Sequence, residues 1–109
     1  MDVPGGGPFG FAEVKPYALV ESLDELRGPA HGEVTLSKSL AWGGRRTFDL
    51  DDDYDRVALY KIVLEEGVEE DLQRLVNGRL LRRYWPQIRA SRQVRALWER
   101  RFSELRRAA

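Results

Sequence analysis

The spacing of apolar residues along this chain changes once, near residue 50, and that change decides the class of fold open to it. Over residues 33–50 the spacing is two: Val34, Leu36, Leu40 and Trp42 share one parity, interrupted by Lys38, and Thr35, Ser37 and Ser39 share the other. A period of two is that of a half-buried strand. Gly43-Gly44 can adopt the positive φ angles of a two-residue hairpin turn, after which Arg46, Phe48 and Leu50 resume the alternation, with Phe48 and Leu50 facing the core. The expectation is a β-hairpin over residues 33–50. An isolated hairpin is marginal in water, so helices must cover its apolar face.

From Val57 onward the spacing is three and four. Asp52 or Asp53 caps a helix that runs to about Glu66, with Gly67 as its stop. Val57, Ala58, Leu59, Tyr60, Ile62, Val63 and Leu64 give it the wide apolar face of a central core helix. Val68, Leu72, Leu75 and Val76 form the next stripe, ended by Asn77-Gly78. Leu80, Leu81, Tyr84, Trp85 and Ile88 form a third, which Pro86 breaks after Tyr84. Ser91 caps a last helix with Val94, Leu97, Trp98, Phe102 and Leu105 on one face. Upstream, Ser22 and Glu25 have the spacing of a capping box, so a short helix starts at Ser22 and Gly28-Pro29 stops it.

The fold class is therefore α+β: one N-terminal β-hairpin packed against three or four C-terminal helices. Residues 1–14, with Gly5-Gly6-Gly7-Pro8, read as a flexible Gly/Pro-rich tail carrying Phe9 and Phe11. Residues 15–109 read as a single α+β domain, of a length that suits one modest core.

The 18 basic and 18 acidic side chains cancel, yet they are sorted by position. Residues 49–71 hold ten acids against Arg56 and Lys61, whereas residues 72–109 hold eleven arginines against Glu99 and Glu104. Such a split suggests either an internally paired fold or a two-faced binding module. Arginine forks suit phosphate and carboxylate better than lysine does, although a GC-rich genome would produce the same arginine surplus. No apolar run approaches the roughly 20 residues needed to span a bilayer. Residues 1–10 carry no base and are broken by Pro4, Pro8 and glycines, so no signal peptide is expected. With no cysteine, disulfides, thiol catalysis and cysteine-based zinc sites are excluded. These features predict a cytoplasmic protein with no membrane partner.

The densest cluster is Asp49, Asp51, Asp52, Asp53 and Asp55. Counted from Asp49, the calcium-loop template fails, because its sixth position is Tyr54 where glycine is needed and its twelfth is Tyr60 where glutamate is needed. Acids at a helix start satisfy free N–H groups and suit the macrodipole, so capping accounts for most of them. No metal and no cofactor is expected, and Asp51, Asp52, Asp53 and Asp55 remain as an acidic docking patch. His31, the single histidine, lies in a Pro-Ala-His-Gly turn with no oriented partner near it in sequence and reads as a solvated loop residue. No serine lies in a Gly-x-Ser-x-Gly elbow, and the glycine runs lack the Lys and Ser/Thr of a phosphate loop. No catalytic residue emerges, and the chain is not expected to be an enzyme.

The arginine-rich segment carries the remaining signal. Arg79, Arg82, Arg83, Arg89, Arg92 and Arg95, followed by Arg100 and Arg101, are interleaved with Tyr84, Trp85 and Trp98. The aromatics sit at helical spacing with Leu and Val, which places them in the core rather than on nucleobases. The basic faces could lie along phosphates, enter a major groove, or pair with acids of a partner or of this chain. Glu65-Glu66-Gly67 followed by Glu69-Glu70-Asp71 has the outline of a helix-turn-helix junction, but three acids at the start of its second helix would repel DNA.

Three stretches together resemble a family of small uncharacterised proteins of high-GC bacteria. They are Tyr17-Ala-Leu-Val-Glu-Ser-Leu-Asp-Glu-Leu-Arg-Gly-Pro29, Phe48-Asp-Leu-Asp-Asp-Asp-Tyr-Asp-Arg56 running into Val63-Leu-Glu-Glu-Gly67, and Val94-Arg-Ala-Leu-Trp-Glu-Arg-Arg-Phe102. Genes of that family often sit beside a second gene, sometimes one for a nucleotidyltransferase-like toxin. The resemblance thus implies an antitoxin-like or accessory role. Its motifs are structural and transfer no functional residue.

The expectation is a non-catalytic protein-interaction module whose partner is another protein, such as the product of a neighbouring gene. Its complementary docking faces would be the acidic patch and the six arginines from Arg79 to Arg95, giving steering and specificity more than affinity. The alternative is a nucleic-acid-binding protein using the Arg-rich C-terminal helices. In a third reading the acidic face of one copy meets the basic face of the next, forming a homo-oligomer.

Overall fold

The computed structural model describes residues 17–41 and 44–108. The sequence-predicted tail, together with Trp42 and Gly43 of the expected turn, lies outside them. Strands β1 (Glu33–Thr35) and β2 (Thr47–Asp49) pair antiparallel, with Val34 opposite Phe48 and Thr35 opposite Thr47. Five helices follow: α1 (Asp53–Glu66), α2 (Glu69–Leu75), α3 (Gly78–Tyr84), α4 (Arg92–Arg101) and α5 (Ser103–Ala108). Short 3-10 turns occupy Leu23–Glu25 and Trp85–Gln87. The α+β class expected from the change of period is the one adopted.

The hairpin is shorter than its alternation implies. One more ladder bond follows Thr35, from the Leu36 N–H to the Arg46 carbonyl at 2.7 Å. The chain then leaves the ladder, and the N–H groups of Leu40 and Ala41 both donate to the Ser37 carbonyl. The Val34–Phe48 register centres the hairpin on Ala41. Leu36, Leu40 and Ala41 are buried all the same. A turn that returns apolar side chains to the same core leaves the same parity pattern as a strand.

Helix α1 forms where its caps say it should. Asp52 Oδ1 accepts from the N–H groups of Tyr54 (2.8 Å) and Asp55 (3.3 Å), and the Gly67 N–H closes the far end on Val63. Leu59, Tyr60, Val63 and Leu64 are buried, whereas Val57, Ala58 and Ile62 are half-exposed and pack against the core from its margin. In α2, Leu72 and Leu75 reach the core, as does Val76 just beyond. Val68 does not join that stripe. It stands at the N-cap in extended conformation, 59 % exposed, where the Asp71 carboxylate accepts its N–H.

Asn77-Gly78 proves to be more than a helix stop. The Asn77 side chain caps α3 by accepting from the Leu80 N–H, and its amide donates to the Gly28 carbonyl. Arg27 and Asn77 form an isolated antiparallel bridge, flanked by bonds from Arg27 N–H to Gln73, Gly28 N–H to Val76 and Gly78 N–H to Leu26. The backbones run so close there that a Cβ at Gly28 would overlap the Leu75 carbonyl carbon, and one at Gly78 the Leu23 carbonyl oxygen. Both positions require glycine for this approach.

Pro86 breaks the third stripe after Tyr84, as its missing N–H requires. The expected last helix is two helices. Phe102 is extended between α4 and α5, which lets both Phe102 and Leu105 be buried and brings α5 against α3. Trp85, Trp98, Tyr60 and Phe48 are the largest fully buried side chains, so the aromatics of the arginine-rich segment belong to the core. Burial of side chains this size stabilises by about 1.5–3 kcal/mol each. Among the described residues, no helix is long and apolar enough to cross a membrane.

Candidate binding cleft at the start of helix α1

The acidic cluster lies where β2 hands over to α1, and nearly every carboxylate there meets a donor. Asp52 is the cap described above. Asp53 accepts from Arg56 Nη1 at 3.0 Å and from the Tyr84 hydroxyl at 2.8 Å. Asp55 accepts from the Asp49 N–H at 2.9 Å and pairs with Arg45 at 2.6 Å, while the Arg45 guanidinium lies over the Phe48 ring. Asp51 receives His31 Nδ1 at 2.9 Å. The side-chain hydrogen bond from Arg45 holds the Asp55 carboxyl below its ordinary range, and that from His31 does the same for Asp51.

Two expectations change here. Asp55 is buried at 9 % exposure and bound inward, so it is not part of an acidic docking patch; Asp51, Asp52 and Asp53 remain exposed. His31 is exposed, as expected of a loop residue, yet it has a partner 20 residues away that only the fold brings close.

Arg56 is the residue that the sequence hid. It is 5 % exposed, and besides Asp53 it donates through Nη2 to the carbonyls of Ala30 and Leu50. Its guanidinium lies over the Tyr84 ring at 5.1 Å, and its Nε–H has no partner. The available signal was its position three residues after Asp53 in a helix whose next residues are apolar, which favours an inward i,i+3 pair.

The six candidate arginines divide. Arg79, Arg82, Arg83, Arg89 and Arg92 are exposed, and none of them makes a hydrogen bond or ion pair among the described residues; Arg83 only lies against the Tyr84 ring. Arg95 is a structural residue instead. It donates to the Trp85 and Ile88 carbonyls (3.2 and 2.7 Å) and to Glu99, with its guanidinium 4.6 Å from the Trp85 ring centroid. Glu99 also accepts from the Trp85 indole N–H at 2.8 Å. The turn created by Pro86 folds over this face of α4 and uses Arg95 to satisfy its carbonyls.

Two concave surfaces meet at Asp53. A cleft of ≈ 280 Å³ is lined by His31, Asp51, Asp53, Arg56, Arg79, Arg83 and Tyr84, with Ala30 and Leu80. A groove of ≈ 500 Å³ on its other side is lined by Asp53, Tyr54, Val57, Ala58, Lys61, Gln87 and Arg89. The fold thus joins Arg79 and Arg83 to the acidic cluster and brings Arg89 alongside, while Arg82 and Arg92 line neither surface. Among the described residues, no group of three or more His, Asp or Glu side chains is placed to hold a metal ion. No family model, curated protein or solved structure matches this chain.

Proposed function

We propose that the protein is a non-catalytic docking module that binds another, acidic protein through its exposed arginines. The observation that carries this reading is an imbalance in pairing. The aspartates around α1 have donors inside the fold, whereas Arg79, Arg82, Arg83, Arg89 and Arg92 pair with no carboxylate among the described residues. Unpaired arginines in this number present planar forks suited to a partner's carboxylates, and their field speeds encounter. The family resemblance supports a partner encoded beside this gene and an antitoxin-like or accessory role. Co-expression of the native gene pair tests it. The neighbouring product should co-purify with the wild-type chain and be lost with R82E/R89E/R92E but kept with R106E/R107E. A chain that elutes alone overturns the reading.

Nucleic acid is the second reading, supported by the same exposed arginines and weakened by the inward turn of Arg95. Phosphate neutralisation would make affinity fall steeply with salt, which a filter-binding titration reads directly.

A further inference from the structure

We propose that the cleft between the His31 turn, the start of α1 and helix α3 is a phosphate-binding site, taking inorganic phosphate or the phosphate of a monoester. Arg79 and Arg83 are its principal ligands, and His31 is a donor whose contribution depends on pH. The charges lining the cleft support this when they are paired off. Asp53 is matched by Arg56 and the Tyr84 hydroxyl, and Asp51 takes a hydrogen bond from His31, which offsets its charge only when the ring is protonated. Arg79 and Arg83 are left without a counter-charge, one helical turn apart on the same face of α3. Two guanidinium forks at that spacing can present parallel N–H pairs to the oxygens of a tetrahedral dianion.

His31 makes the site pH-dependent. A carboxylate accepting at Nδ1 fixes the proton on that nitrogen, so Nε2 bears a lone pair in the neutral ring and becomes a donor in the imidazolium. The ring contacts Asp51, and the other charged and titratable groups lining the cleft with it are Asp53, Arg56, Arg79, Arg83 and Tyr84. Protonation of His31 brings the excess charge of the cleft from one positive unit to two, which matches a dianion. This site does not depend on the protein-docking reading, whose test alters Arg82, Arg89 and Arg92 and leaves the cleft intact.

His31 is the single histidine of the chain, so its Hε1 proton gives one resolvable NMR line from within the site. The full chain is titrated with inorganic phosphate, phenyl phosphate, sulfate and acetate at constant ionic strength, and calorimetry reads the same affinities independently of the histidine. Phosphate or phenyl phosphate should shift the line saturably, with acetate at least tenfold weaker. R79A/R83A should weaken phosphate at least tenfold, and R106A/R107A, with the same loss of charge, should leave it unchanged. Stronger binding of phenyl phosphate identifies the ligand as a monoester, and stronger binding of inorganic phosphate identifies it as the free ion. Sulfate stays dianionic throughout, so it should bind more tightly where the NMR line reports an imidazolium than where it reports a neutral ring. A linear, unsaturating shift, an unchanged affinity in R79A/R83A, or acetate binding as well as phosphate would overturn the assignment.

Discussion

Two stretches of this chain carry dense charge, and the fold treats them differently. Around the start of α1, aspartates find backbone N–H groups, Arg45, Arg56, His31 and a tyrosine hydroxyl within hydrogen-bonding distance. Along α3 and up to Arg92, the arginines find no hydrogen-bond or ion-pair partner among the described residues, whereas Arg95 meets a turn that folds over it. The difference lies in what the backbone supplies. A helix start offers unpaired donors to any nearby acid, and β2 arriving at the same point adds more. Arginines on the outer faces of short helices meet only solvent unless another segment passes above. Charge density in a sequence therefore marks a binding surface only after the local backbone has taken its share.

This contrast can be tested from its strongest point downward. Replacing Arg56 by Leu should be the most damaging change, costing about 3 kcal/mol or more, because buried carbonyls of Ala30 and Leu50 lose their donor. Urea denaturation at neutral pH measures it, and a cost under about 1 kcal/mol would break the claim that the acidic end is internally consumed. Arg95→Ala should cost about 2 kcal/mol, because the Ile88 carbonyl loses its donor and the Trp85 carbonyl keeps only the Ile88 N–H. Asp52→Ala should cost about 1 kcal/mol through loss of the α1 cap.

A smaller effect should appear in the pH dependence. The Asp51 and Asp55 carboxyls are held below their ordinary range in the fold, so their contribution is present above about pH 4 and is lost as pH falls through the folded value. Between neutral and acid pH the wild type should lose more stability than Asp55→Asn, when denaturation midpoints are compared at both. Equal losses would mean that Asp55 is not held by Arg45. Smallest of all, Arg82→Ala and Arg92→Ala should each stay within about 0.5 kcal/mol of wild type. A larger loss at either would place it with Arg95 and narrow the free surface.

Elements with local signals could be read from the residues alone. The caps at Asp52 and Ser91, the stop at Gly67 and the break at Pro86 each depend on groups within four positions, and each forms as the sequence predicts. The hairpin register could not be read, because Leu36 and Leu40 satisfy the same parity from a turn as from a strand. Nor could the cleft. Of its lining residues, Asp51, Asp53, Arg79 and Arg83 stand out in the sequence as candidates and Arg56 does not, and His31 meets Asp51 and Tyr84 meets Asp53 only through contacts 20 and 31 residues apart. The break at Phe102 is likewise tertiary in origin, since nothing in Trp98-Glu-Arg-Arg-Phe102 forbids a continuous helix. With the chain extended at Phe102, both Phe102 and Leu105 are buried.

The bridge between Arg27 and Asn77 bears on the order in which the molecule assembles. It joins backbones 50 residues apart, and closing such a loop has an entropic cost that local helices do not face. Its three flanking backbone bonds therefore form after α2 and α3 exist to receive them. They are also the first that a fluctuation can release without unfolding the helices. Native-state hydrogen exchange at the Gly28 and Gly78 amides should report an opening of this clasp at lower free energy than exchange at Val63 or Trp98, making the N-terminal segment a detachable strap on a helical body.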